Sequence, residues 1–146
     1  MTITSAIGDR KSAIVISKRI SSYKDLDVWK KGIEIVDRVY EITATFPSEE
    51  RFGLVVQMQR SAVSIPSNVA EGFARQRTKE YQQFCRVSLG SCAELETQAI
   101  IANRRGYVAA EVMTRLEELL DHESRMLMNL IKRLSANATV KPVKGG

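Results

Sequence analysis

The chain has almost nothing with which to bind a structural metal or form a disulfide framework: its 146 residues include two cysteines and one histidine. A structural zinc site takes four such ligands and a catalytic one usually three side chains, so the count argues against both. Aromatic residues make up 6% and prolines number three. No stretch approaches the ~20 apolar residues of a membrane helix. Residues 1–22 lack the apolar centre of a signal peptide, because the short run Ala13–Ser17 meets Lys18 and Arg19 at once. These absences predict a cytoplasmic protein with reduced thiols and no membrane contact.

What remains is a chain that is 44% hydrophobic and 27% charged, with a formal charge of +5. At this length it buries about two-thirds of its unfolded surface and needs no covalent staple. Its pI of about 9.4 points first to an anionic partner. The excess is localised: residues 1–24 carry +4, residues 137–146 carry +2, and everything between sums to −1. Within that body, residues 25–50 carry −4 and residues 51–105 carry +4.

Four amphipathic segments follow one another. The first starts near Asp25 or Asp27 as cap, carries Leu26, Trp29, Ile33, Val36 and Tyr40 at helical spacing, and stops at Phe46-Pro47-Ser48. Ser48 is placed to cap the second, whose inner stripe reads Phe52, Val55, Val56, Gln59, Ala62 and Val63. Pro66 is expected to kink or restart that helix, with Asn68 and Glu71 as a capping box and Gly72 as its end. The third segment opens at Thr78 and closes at Gly106, a left-handed C-cap; its stripe of Tyr81, Cys85, Ser88, Cys92, Leu95, Ala99 and Ala102 is mostly small. The fourth places Val112, Leu116, Leu119, Met126, Leu130 and Leu134 inward. The pattern predicts an all-α, antiparallel up-down-up-down four-helix bundle over residues 23–136, between a flexible basic arm (1–22) and a basic tail (137–146).

Catalytic groups do not converge. Glu94 and Glu96 stand about 200° apart on a helix and cannot share a substrate, which leaves pairing with Arg or Lys, or capping, as their work. Cys85 and Cys92 are ~10 Å apart along the axis, too far to bridge. His122 falls on a polar face with Arg115, Glu118, Arg125 and Asn129, without a nucleophile nearby in sequence. The isolated glycines form no phosphate loop. Cations offer more: Arg75, Arg77 and Lys79 cluster between the second and third helices, Arg104 and Arg105 end the third, and Arg10, Lys11, Lys18 and Arg19 lie in the arm. Antiparallel packing puts the first two groups at opposite ends, so each patch alone is small.

Several strings carry a family resemblance. Tyr23-Lys24-Asp25-Leu26-Asp27-Val28-Trp29, then residues 64–72 (Ser-Ile-Pro-Ser-Asn-Val-Ala-Glu-Gly), then residues 89–97 (Leu-Gly-Ser-Cys-Ala-Glu-Leu-Glu-Thr) and Gly106-Tyr107 resemble the four-helix-bundle proteins encoded in 23S rRNA intervening sequences. That family is similar to the accessory variability determinant (Avd) proteins of diversity-generating retroelements. The resemblance covers about residues 23–134. It implies a homopentameric, barrel-like ring without enzymatic activity or cofactor, and, in the retroelement relatives, a reverse transcriptase and its template RNA as partners. On the motif, it implies structural work for Pro66, Gly72, Gly90, Ser91 and Ala93.

The sequence thus predicts a non-enzymatic accessory protein that binds RNA or DNA phosphates through helix-end arginines and the arm, with a reverse transcriptase as candidate partner. Multiplication of small patches around a ring, counterion release and few aromatics for stacking predict salt-sensitive binding with little base preference. The alternative is a protein-only scaffold whose tails order on a partner.

Overall fold

The computed structural model describes the backbone of residues 20–145 and the side chains of residues 20–136. Arg10, Lys11, Lys18 and Arg19 lie outside the described residues. Four helices follow in order: α1 (Asp27–Thr43), α2 (Leu54–Arg75), α3 (Thr78–Arg104) and α4 (Ala110–Gly145), with single 3-10 turns at Tyr23–Asp25 and Ser48–Glu50. No described residue is in a strand. No described helix is long and apolar enough to cross a membrane.

Cross-helix contacts fix the topology. Gln59 Nε2 on α2 donates to Thr43 Oγ1 on α1 at 3.1 Å, while a Cβ on Gly32 of α1 would lie 3.1 Å from Pro66 Cβ. Between α2 and α3, the Ser64 and Ser91 hydroxyls hydrogen-bond at 2.8 Å and Ser88 Oγ donates to the Ile65 carbonyl at 2.8 Å. Between α3 and α4, Gln82 Nε2 donates to the Ile131 carbonyl at 3.1 Å and Asn103 Nδ2 to the Val108 carbonyl at 2.9 Å. In each pair, moving forward on one helix means moving backward on the next, so the bundle runs up, down, up, down. Its centre is Ile35 and Val39 from α1, Met58, Ile65 and Val69 from α2, Leu95 from α3, and Leu116 and Leu127 from α4, all 0% exposed.

Three of the expected stripes are rotated: on α4, Val112, Leu119 and Met126 are half-buried, while Met113, Leu120 and Leu127 are buried. On α1 the buried face is Val28, Gly32, Ile35, Val39, Ile42 and Thr43, with Trp29, Ile33 and Val36 half-buried and Tyr40 exposed. The missing Cβ of Gly32 lets Pro66 come close, and that contact selects the face around Gly32 over its apolar neighbour. On α2 the buried face is Leu54, Met58, Ser61, Ala62, Ile65, Pro66, Val69 and Gly72; Phe52 is 86% exposed and Val63 is exposed. The small-residue stripe of α3 is buried as expected from Cys85 to Ala102.

The caps also differ. α2 runs unbroken from Leu54 through Pro66 to Arg75, so the restart does not occur. Asn68 is therefore no cap: from mid-helix its Nδ2 donates to the carbonyl and the hydroxyl of Ser64, both at 2.8 Å, which orients Ser64 toward Ser91. Glu71 turns to Arg75 instead of a cap amide. Gly72 does not end the helix; a Cβ there would lie 2.8 Å from Phe84 Cβ and 3.1 Å from the Tyr81 ring, so its role is the close approach of α2 and α3. Gln76, at φ 62°, makes the left-handed turn. A Cβ on Gly90 would meet nothing within 4 Å and Ala93 is exposed, so neither tightens packing within this chain. Glu50, rather than Ser48, accepts from the Leu54 amide at 3.1 Å, and neither Asp25, Asp27 nor Thr78 caps a helix. Gly106 fulfils its expected role at φ 83°: Tyr107 N donates to the Ala102 carbonyl and Gly106 N to that of Asn103, both at 3.0 Å, which is a Schellman closure.

Candidate nucleic-acid interface

With this topology the start of α1, the α2–α3 junction and the late turns of α4 share one end of the bundle. Arg75, Arg77 and Lys79 stand at the junction, exposed. Arg75 is already engaged: its guanidinium meets Glu71 at 2.8 Å and Glu80 at 3.7 Å and lies 5.1 Å from the centre of the Phe84 ring. Among the described residues Arg77 and Lys79 carry no ion pair, so their charges face solvent.

α4 adds two cations that sequence reasoning did not assign to this end. Lys132 and Arg133 are exposed, and α3 is tied to their turn by Gln82, which donates to the Ile131 carbonyl and contacts Ser135. Arg133 is also near enough to the Tyr81 phenol to favour its ionised form, although burial dominates and holds that pKa up at about 12. Arg133 lines a groove with Ile20, Asp25 and Asp27, the residues by which the chain enters α1. On α3, Arg86 follows Lys79 by two turns on the same face and is exposed. The signal for Lys132 and Arg133 was present in the order of helices: in an up-down-up-down bundle the fourth helix ends beside the second junction.

Arg104 and Arg105 are at the other end, about 40 Å away by the length of α3. Both are exposed, and among the described residues neither forms an ion pair. Tyr107 donates its hydroxyl to Glu50 Oε2 at 3.1 Å; that hydrogen bond, then partial burial and the Glu50 charge, push the phenol pKa up, while Arg105 opposes them. Glu94 and Glu96 are exposed and, among the described residues, neither forms the ion pair or cap expected of it. His122 is exposed, as read from its polar face.

One ionisable group was missed altogether. Glu123 on α4 is 0% exposed and neither carboxylate oxygen has a hydrogen-bond partner among the described residues. Burial pushes its pKa from 4.5 to about 8, and Lys31 of α1 pulls the other way. Burial, and then the nearby Glu123, raise both the Cys85 and the Cys92 thiol to about 12. At neutral pH all three are protonated and closed off, which makes the cysteines poor nucleophiles. The spacing Leu116, Leu120, Glu123, Leu127 marks Glu123 as a core position; only its residue type argued otherwise.

The class this arrangement defines is an antiparallel four-helix bundle with exposed cations at its ends. The chain belongs to the 23S rRNA-intervening sequence protein family, whose model matches residues 24–129. A solved structure from Bacteroides thetaiotaomicron VPI-5482, described as a protein of unknown function from the S23 ribosomal protein family, is 21% identical, with a TM-score of 0.65 over 72% of this chain and 98% of that one. At that identity the likeness concerns the fold. No curated protein matches the chain.

Proposed function

We propose that this is a non-enzymatic accessory protein that binds the phosphate backbone of RNA at the end formed by Arg77, Lys79, Arg86, Lys132 and Arg133. The observation that carries the reading is their convergence: the α2–α3 junction, α3 and α4 bring these exposed cations to one end, and among the described residues none of the five forms an ion pair. Arg75 serves there as a strut between Glu71, Glu80 and Phe84. Arg104 and Arg105, at the opposite end from these cations, contribute little. The closed-off thiols and the unpaired His122 support a role without catalysis.

Binding is measured with a labelled single-stranded RNA over a salt series. The full chain with Arg77→Glu, Lys79→Glu and Arg133→Glu should lose most of its affinity and show a shallower salt slope, since each neutralised phosphate contributes about 0.7 to the slope on single strands. Arg104→Glu with Arg105→Glu should leave both nearly unchanged. Equal loss from the two sets would remove the end-specific reading.

Self-assembly into a ring, as the resemblance implies, is supported by exposed apolar surface: Tyr40, Val56 and Val63 line one shallow groove between α1 and α2, and Phe52 stands out beside it in chain order. Mass measurement in solution tests it. The same surface favours a second reading, a scaffold for a protein partner such as a reverse transcriptase; co-purification that survives nuclease treatment would select it. Free, buried thiols accord with a cytoplasmic location.

A further inference from the structure

A second groove lies between α2 and α3, on the bundle's side rather than its end. It is lined by Gln57, Arg60, Ser61, Ser64, Glu94 and Gln98, with a volume of about 350 Å³, within the range of small-molecule sites. The Ser64–Ser91 hydrogen bond sets its register. Arg60 is one turn before Ser64 on α2, and Glu94 is three residues after Ser91 on α3, so the two charges stand level across the groove. Yet no ion pair joins them, and neither is paired elsewhere among the described residues. Gln98 forms part of the wall: it is 8% exposed, and its Oε1 is buried without a hydrogen-bond partner. An unpaired guanidinium on α2 and an unpaired carboxylate on α3 thus line the same groove, a charge pattern that selects its guest.

The guest must satisfy opposite demands on its two sides. A phosphate suits Arg60 and is repelled by Glu94; an ammonium suits Glu94 and is repelled by Arg60. A neutral, planar group with acceptors on one edge and donors on the other suits both. We propose that this groove binds a guanine base, with Arg60 donating to N7 and O6 and Glu94 accepting from N1–H and N2–H. Arginine paired with the N7/O6 edge is a frequent specific contact to guanine, and a carboxylate has only acceptors, in a fork that matches two adjacent N–H donors. Adenine reverses O6 to a donor and offers Glu94 no N1–H. Cytosine and uracil carry their polar groups on one edge and cannot span the two charges. The base preference would come from hydrogen bonding, which the small number of aromatic residues does not limit.

This inference goes beyond backbone binding and stands apart from it: Arg60 is 15 residues from Arg75 on α2, roughly 20 Å along the axis. The guanine is supplied either by a free nucleotide or by an RNA strand. The full chain is titrated by calorimetry and NMR with GMP, AMP, CMP and UMP, then with IMP, which lacks N2, and 7-deaza-GMP, which lacks N7. GMP should bind saturably and at least tenfold tighter than AMP, CMP or UMP. Arg60→Gln should erase the preference for GMP over 7-deaza-GMP, and Glu94→Gln the preference for GMP over IMP; both sites are at the surface, and circular dichroism confirms folding. A parallel arm compares oligouridine with and without one central guanosine. Preference only in that arm assigns the guanine to RNA, and preference only for GMP assigns it to the free nucleotide. Indifference among bases in both arms overturns the proposal, as does a change of oligomeric state in Arg60→Gln or Glu94→Gln without any base discrimination, which would make the groove a seam between subunits. Loss of RNA binding by the Arg77, Lys79 and Arg133 reversals leaves the GMP arm unaffected, so the two readings fail separately.

Discussion

Replacing Glu123 by glutamine should make the protein more stable, and by an amount set by pH. The carboxyl is wholly buried, without a hydrogen-bond partner, and its pKa is raised from 4.5 to about 8 by burial, Lys31 being the opposing charge and the Cys85 and Cys92 thiols its neighbours on α3. A raised pKa means that the folded chain holds a proton which the unfolded chain releases at lower pH. Relative to a group that does not ionise, the wild type therefore pays nothing below pH ~4.5, loses about 1.4 kcal/mol per pH unit above it, and stops losing once the folded carboxyl itself ionises near pH 8. The accumulated penalty is about 3 kcal/mol at pH 7 and about 5 kcal/mol at pH 9, a large part of the 5–15 kcal/mol typical of a domain. Glutamine keeps the shape and removes the titration. Urea unfolding of both proteins from about pH 4 to about pH 9 should give curves that meet at the acid end and diverge steadily up to about pH 8. Parallel curves, or a variant that is less stable throughout, would refute the reasoning, since they would mean that the carboxylate is ionised and satisfied in the folded state. Glu123→Met should exceed glutamine in stability at every pH, because it also removes the unpaired polar atoms.

Further outcomes follow from named contacts. Gly72→Ala should destabilise by about 1–3 kcal/mol in urea melts, because the new methyl would meet Phe84 Cβ at 2.8 Å, an atom that cannot move without its helix. Gly90→Ala should instead stabilise by up to ~1 kcal/mol, as an exposed helical glycine with open space around it; a loss of stability would show that another copy covers that face. Ser88→Ala should cost about 1 kcal/mol by removing its hydrogen bond to the Ile65 carbonyl beside Pro66. Cys85 and Cys92 should react with thiol reagents only at the rate of unfolding at neutral pH, and rapid labelling of the native protein would contradict their burial.

Helix number, order and type were legible because each segment repeats apolar residues every three or four positions over several turns, which a strand pattern cannot mimic. Register was less so. On α1 two adjacent stripes are both apolar, one through Trp29, Ile33, Val36 and Tyr40 and the other through Val28, Ile35, Val39 and Ile42, and local periodicity cannot choose between them. The choice is made from α2, where Pro66 fits over Gly32. Terminus signals misled for a similar reason: Asn68 and Glu71 satisfy a capping pattern, but α2 continues through Pro66, and Asn68 and Glu71 turn to Ser64 and Arg75 instead. For the candidate interface, the junction cations could be read from the sequence, while Lys132 and Arg133 needed the topology and the engagement of Arg75 needed its partners Glu71, Glu80 and Phe84 in place. Glu123 was hidden by its own chemistry, since a carboxylate in a leucine stripe is discounted as a surface residue.

The grouping of Ile20 with Arg133 has a practical side. Ile20 and Asp25 lead into α1 at the cationic end, so a fluorophore or linker attached at the start of α1 stands next to the residues proposed to hold RNA. An immobilised or tagged sample would report weakened binding that belongs to the attachment. Labels are better placed at the far end, where Ala109 is exposed and follows the Gly106 turn.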